Sequence, residues 1–282
     1  MKNIVAVLAL FTALTGAAQE KALLWKISGN GLAAPSYIFG TIHLSCDATL
    51  DKNTLDAMDK TSQLYLELDM DDPNLQSAMM AGINMNGKTL TELASADDIK
   101  MLNTILQDKI GMPVAAINTV KPAMVSTMIL PLLMGCPIAS VEQELVNLSK
   151  TQKEEIYGLE TVQEQLAVFD AIPYKVQMDE LVKSAKDNFK SDKEELDKMT
   201  ALYKTGDIEG MLAMMNASDN KISAKFQDQL LNNRNANWIP KIEKIAKAKP
   251  TFIAVGAGHL AGDKGVIKLL KKKGYTVEPV RD

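Results

Sequence analysis

A chain of 282 residues, 46% of them apolar, is long enough to bury one large core, and a formal net charge of −4 leaves it mildly acidic. Its one basic cluster, KLLKKKGY, suits the solvated last turn of a helix, where cations complement the dipole. Nucleic-acid binding is therefore excluded.

The first residues, MKNIVAVLALFTALTGAAQE, join an early lysine, an apolar run from Ile4 to about Ala13, and the small residues Gly16, Ala17 and Ala18. That order predicts an export signal over residues 1–18. The run is shorter than the ~20 residues a bilayer span needs, and no cysteine follows to accept lipid. The expected product is a mature chain with no membrane span, periplasmic or secreted. Residues 19–282 read as a single domain, since no Pro/Gly/Ser linker or charge block divides them.

Strand signals gather toward the two ends. ALLWKIS and SYIFGTI flank GNGLAAP and predict a hairpin, QLYLELDM is a third apolar run, EIYGLE a short fourth, and TFIAVGA and YTVEPV close the chain. Between the last two, Val266, Ile267, Leu269 and Leu270 fall at helical spacing, with Asp263 as start signal and Gly274 as stop. This β-α-β order predicts a parallel pair of strands. Residues 73–150 and 161–248 are rich in Leu, Met, Ala, Gln, Glu and Lys and read as helices broken at DDP, GMP, KPA, GCP, IPY and GDIEG. The sixteen methionines concentrate there. They are expected as adaptable core packing, with a copper site or a peptide-binding surface as alternatives. The fold class expected is α+β: a mixed sheet formed by N- and C-terminal strands, with a large helical insertion.

The only two histidines, His43 and His259, both end a G-x-x-H at the exit of an apolar strand, FGTIH and VGAGH. Strand exits are where open sheets place ligand sites, and the motif glycines Gly40 and Gly256 let the backbone turn or approach another group closely. Two imidazoles and one carboxylate with an open position describe a hydrolytic divalent-metal site. LYLELDM supplies the carboxylate: an acidic residue in a buried strand is costly unless paired or ligated. Glu67 is the candidate and Asp69 the reserve. Cys46 and Cys136 suit a disulfide in an oxidising compartment; two buried thiols, or Cys46 as a thiolate ligand beside His43, are the other readings. From its surroundings, LLNNRNANWIPKI, Arg234 falls late in a helix or just beyond one, where a surface arginine would need no explanation.

FGTIH, LELD, SVEQELVNLSKTQKEEIYGLETVQEQL, NNRNANW and FIAVGAGHLAGDKGVIKLLKKKGYTVEPV together resemble the TraB/GumN family, which includes the TIKI metalloproteases. The likeness runs over nearly the whole mature chain, and the wider fold is similar to erythromycin esterases and ChaN-like haem-binding lipoproteins. The family pattern of a first G-x-x-H, a strand glutamate, an arginine and a second G-x-x-H falls on Gly40 and His43, Glu67, Arg234, and Gly256 and His259. The resemblance implies a metal-dependent protease, with manganese or cobalt as the cation and a peptide or protein as substrate. It also implies a role for Arg234, whose charged fork could hold a carboxylate or stabilise an oxyanion. The expectation is thus an exported hydrolase in which His43, Glu67 and His259 hold the metal and Glu67 and Arg234 serve catalysis. A version without metal would use a histidine as general base. The alternative is a non-catalytic protein that holds haem, a metal or a peptide in the same cleft. Glu142 and Glu160 lie in family-like blocks but suit helix caps or lysine partners, and stand outside the expected site. Oligomeric state is not set by any of these features.

Overall fold

The computed structural model describes residues 21–281, so the export signal expected over 1–18 lies outside the described residues. In chain order the elements are β1 (Leu24–Ser28), β2 (Ser36–Thr41), α1 (Lys52–Met58), β3 (Gln63–Leu66), α2 (Leu75–Gly82), α3 (Leu90–Leu93), α4 (Ala96–Ile110), α5 (Pro122–Leu133), α6 (Val141–Gln152) and β4 (Glu155–Gly158). There follow α7 (Val162–Asp170), α8 (Tyr174–Lys186), α9 (Lys190–Lys204), α10 (Ile208–Ala217), α11 (Lys221–Lys225), α12 (Asn233–Ala248), β5 (Phe252–Gly256), α13 (Val266–Lys272) and β6 (Thr276–Pro279). The fold is α+β with a mixed sheet, as expected.

The sheet order is β4-β3-β5-β2-β1-β6. The first four strands run parallel, while β1 pairs antiparallel with both β2 and β6. The β1–β2 hairpin forms as read, and its turn passes through Gly29 and Gly31 at φ +76° and +80°, angles that a β-carbon would resist. The parallel partnership expected of the last two strands does not form. Both edges of β5 are already taken, by β3 and β2, so α13 carries the chain past β2 and β1 to the open edge of the hairpin. Strands β5 and β6 still point the same way, as a β-α-β order requires, but two strands lie between them. Helix α13 starts at Val266 with Gly265 at its cap, and Asp263 instead pairs with Lys268 at 2.8 Å. Its stop is at Gly274, as read, with φ +90°.

Period-two alternation along buried strands supplies both faces of the sheet with apolar side chains. Ile38, Ile253 and Val255 pack against α10, α12 and α13, whereas Tyr37, Phe39, Phe252 and Ala254 face α1 and α6. A further core gathers Leu102, Leu106, Val125, Ile129, Met178 and Leu181 within the helical insertion. Covered on both sides, the parallel strands can receive a ligand only at their ends. The carboxyl ends of β2, β3 and β5 open toward one cleft, which Thr41, Leu66 and Ala254 line.

Candidate functional site

Each of the four parallel strands delivers one polar side chain at its carboxyl end. His43 follows β2, Glu67 follows β3, Glu160 follows β4, and His259 closes the short 3-10 turn Ala257–His259 after β5. Strand β3 ends at Leu66, one residue short of Glu67, so the carboxylate is released from the pleat and turns into the cleft. Asp69 enters the next turn, where its side chain accepts from the Asp71 N–H, and does not line the cleft. A β-carbon on Gly256 would stand 3.3 Å from Glu67 Oε1, 3.7 Å from His259 Cδ2 and 3.8 Å from His43 Nε2. The glycine is thus the floor on which both imidazoles and the carboxylate meet. Gly40 serves packing: its β-carbon would come within 2.9 Å of Leu260 and 3.0 Å of Ala257, the turn that carries His259. Both motif glycines allow close approach, and neither has a positive φ.

Arg234 is at the start of α12, not its end, where the π-helical segment Asp228–Asn232 runs into it. Pi segments recur at functional sites, and here the join lets the guanidinium reach across the cleft. It donates to Glu67 Oε2 at 2.5 Å, to both oxygens of Glu160 through Nε at 3.1 Å, to the Leu230 carbonyl at 3.1 Å and to His259 Nε2 at 3.0 Å. Gly256 N–H donates to Glu67 Oε1 at 2.8 Å and Gln165 to Oε2 at 3.1 Å. Trp238, one turn along α12, stacks beneath the group, 4.5 Å from the His259 ring and 4.8 Å from the guanidinium carbon, and donates its indole N–H to Glu160.

The hydrogen bonds assign the tautomers. Asn235 Oδ1 lies 2.6 Å from His259 Nδ1 while its amide donates to the Lys264 carbonyl, so Nδ1 carries the proton and the Nε2 lone pair receives Arg234. On the other imidazole, Glu142 accepts from Nδ1 of His43 at 2.8 Å, which leaves Nε2 facing the cleft. The two rings differ in exposure: the His259 side chain is 4% exposed and that of His43 71%. Burial holds His259 well below its ordinary value, at about 3, with Arg234 and His43 adding to the effect. The hydrogen bond to Glu142 raises His43 despite its partial desolvation. For Glu67, burial alone would push the carboxyl up, but His259, Arg234, His43 and the Gly256 N–H outweigh it and hold it at about 2.

Of these groups His43, Glu67, Glu142 and Arg234 line one end of a cleft of about 470 Å³ that continues between Met70, Leu75, Met79, Met124, Phe169 and Leu230. Behind His43, Cys46 is bonded to Cys136, and an antiparallel bridge joins Ser45 to Ala139. The cysteine pair is therefore a disulfide, and Cys46 is not a ligand.

The donor set suits a divalent cation in kind. Both imidazoles give Nδ1–H to a protein acceptor, the arrangement by which outer partners prepare histidine ligands, and His43 turns Nε2 to the cleft. Two carboxylates, Glu67 and Glu160, face a single guanidinium while a third, Glu142, holds His43, and a cation would offset the negative surplus. In the arrangement described, however, Arg234 takes the lone pair of His259, and among the described residues no three His, Cys, Asp or Glu side chains are set to hold an ion.

Glu142 and Glu160 are the carboxylates at the site that sequence reasoning set aside. Glu142 sits in the first turn of α6 and Glu160 just before the capping box of α7, both ordinary places for an acid. The usable signal was a repeat: Leu66-Glu67 and Leu159-Glu160 leave adjacent parallel strands, and Glu160 N–H bonds to the Glu67 carbonyl at 3.0 Å.

The pattern of the TraB/PrgY/gumN family matches residues 23–279. The chain is similar to Metalloprotease TIKI1 of Danio rerio, 22% identical over 315 residues covering 90% of this chain and 62% of that protein. It is also similar to Metalloprotease TIKI2 of Xenopus tropicalis, 24% identical over 306 residues covering 86% and 57%. It thus spans about three fifths of the length of these curated relatives. No solved structure matches it. With the family pattern running from the first strand to the last, the chain belongs to the TraB/PrgY/gumN family.

Proposed function

We propose that this chain is an exported, single-domain, metal-dependent hydrolase that cleaves peptide bonds at the cleft described. The observation that carries the proposal is the convergence on Gly256 of Glu67, His43 and His259, with each imidazole fixed in the Nδ1–H tautomer by a protein acceptor. The likeness to proteins named metalloproteases supports the reaction class. His43, His259 and Glu67 would hold the cation, which the family resemblance suggests is manganese or cobalt. When bound, it supplies a Lewis acid that polarises an acyl oxygen and acidifies water.

The chain's own groups do the rest. Glu142 holds His43 with its Nε2 lone pair outward, and Asn235 fixes the same tautomer on His259, whose Nε2 lone pair meets Arg234. Arg234 is kept charged by Glu67 and Glu160, and the N–H it now gives to His259 is the donor that would turn to an acyl oxygen once a cation takes that nitrogen. The apolar side of the cleft limits water around the reacting groups.

One observation favours a version without metal: the His259 lone pair is engaged by Arg234, whereas His43 Nε2 is open and backed by the Glu142 carboxylate, as in a general base. The deciding experiment measures metal content of the mature protein purified without chelator, then peptide hydrolysis before and after dialysis against chelator. The proposal expects bound metal, and hydrolysis that is lost on chelation and restored by manganese or cobalt. Undiminished hydrolysis after chelation would establish the metal-free base. Tight binding of haem or metal with no hydrolysis of any peptide would make the protein a binder.

A further inference from the structure

We infer that the apolar end of the cleft is a binding subsite for one large apolar side chain of an extended peptide, lying next to the bond that the polar end acts on. The inference rests on the hydrolase reading only in calling that peptide a substrate. Six side chains, Met70, Leu75, Met79, Met124, Phe169 and Leu230, wall this end, and all but Met124 are only partly buried, so they present bare apolar surface to the cleft. Every charged residue lining the cleft is already paired, His43 with Glu142 and Glu67 with Arg234. A charged ligand side chain would lose its hydration there and find no free partner.

The wall is preformed. A β-carbon on Gly82 would stand 2.3 Å from Leu166, so α2 lies directly on α7 at that point. Buried Lys121 ties the same end down, donating to the Gly82 carbonyl at 2.8 Å and pairing with Asp170 at 2.9 Å. This anchors the helix that carries Leu75 and Met79 over the cleft. A volume of about 470 Å³ falls within the range of small-ligand sites, and unbranched methionines repack around different shapes. The subsite therefore accepts leucine, methionine or phenylalanine and rejects aspartate or lysine. Thr127 and Gln165 at its border donate to the Met124 carbonyl and to Glu67 but keep acceptor oxygens for the N–H groups of a peptide backbone, which a bare acyl chain lacks.

The test uses the mature protein and two capped hexapeptides that differ only in a central leucine or aspartate, with dodecanoate as the acyl-chain probe. Binding is measured by calorimetry, and cleavage positions are read by mass spectrometry from a mixed peptide pool. The leucine peptide should bind about tenfold tighter or more than the aspartate peptide. Met79→Asp should erase that preference and Met79→Leu keep it, and cuts should fall beside Leu, Met or Phe. Comparing the two peptides on the unaltered protein needs no variant to fold. Preferential binding without cleavage would uphold the subsite and sink the hydrolase reading. Cleavage with no side-chain preference would do the reverse. Equal binding of both peptides, or dodecanoate bound where neither peptide binds, overturns the subsite.

Discussion

The guanidinium of Arg234 donates to Nε2 of His259 across 3.0 Å, while the opposite ring nitrogen is held by Asn235 at 2.6 Å. A buried imidazole is thus kept neutral between a cation and an amide, and its lone pair is engaged by the group that would otherwise face an acyl oxygen. A cation bound to His259 has to displace Arg234 from that nitrogen. Metal loading and placement of the arginine are therefore coupled.

Arg234→Lys separates the two roles. The ammonium preserves charge beside Glu67 and Glu160 but cannot reproduce the fork, so metal uptake should be retained or improved while kcat falls by about 10²–10³. Metal content by mass spectrometry and kcat on one peptide check it. Unchanged turnover in a folded Arg234→Lys protein would remove the arginine from catalysis.

The two histidines should differ in what they contribute to stability. From strand-exit position alone both substitutions are expected to be mild, but His259 is buried against Trp238 and hydrogen-bonded on both nitrogens. His259→Ala should cost about 2–4 kcal/mol through a cavity and unpaired donors. Exposed His43→Ala should stay within about 1 kcal/mol. Both should abolish hydrolysis. Denaturant titration of the pair settles the difference, and equal losses would contradict the burial argument.

Breaking the Cys46–Cys136 bond should loosen His43 before it loosens the core. The bond closes a loop of 90 residues, so its loss should cost about 2–4 kcal/mol, toward the upper end for so long a loop. It also ties the segment three residues beyond His43 to the one that leads into Glu142. The double variant Cys46→Ser, Cys136→Ser should lose most of its hydrolysis at temperatures where circular dichroism still reports native helix. Full activity in that variant would show that the neighbouring Ser45–Ala139 bridge suffices alone.

Stability should peak near pH 6.5 and fall on acidification. His43, raised in the folded state, adds stability as pH drops through its folded value, and that gain is complete below 6.5. His259, held at about 3, binds its proton first in the unfolded chain, so stability is lost from pH 6.5 down to about 3. Glu67, held at about 2 against an ordinary 4.5, adds a second loss below pH 4.5. Each of these two losses has a slope of about 1.4 kcal/mol per pH unit while it lasts. Urea midpoints across pH 3–8 for wild type and His259→Ala test this, since the variant should lack the decline between 6.5 and 4.5.

The sheet was legible because strand signals are local: the hairpin, QLYL and TFIAV each carry their own alternation. What strand adjacency required was knowledge of which edges were free, and no local pattern in YTVEPV says that β5 is already flanked. The histidines were legible because there are two of them in the chain. Glu142 and Glu160 were not, being two acids among 35 Asp and Glu, each in a position where an acid stabilises a helix start anyway. Arg234 was placed too late in its helix because the π-helical segment ahead of it has no distinct composition.

The pairing of β2 with β5 has a consequence in time. These neighbours at the centre of the sheet join Tyr37 to Phe252, and the Ser36 hydroxyl accepts from the Thr251 N–H across a separation of 215 residues. Contacts so distant along the chain form slowly, because the intervening loop must close before they return any free energy. A nascent chain therefore carries His43, Glu67 and the whole helical insertion for most of its synthesis without the strand that brings His259 to them. A chain truncated before residue 252 would hold His43, Glu67 and Arg234 but neither Gly256 nor His259, so assembly of the cleft waits on β5 and the turn that follows it.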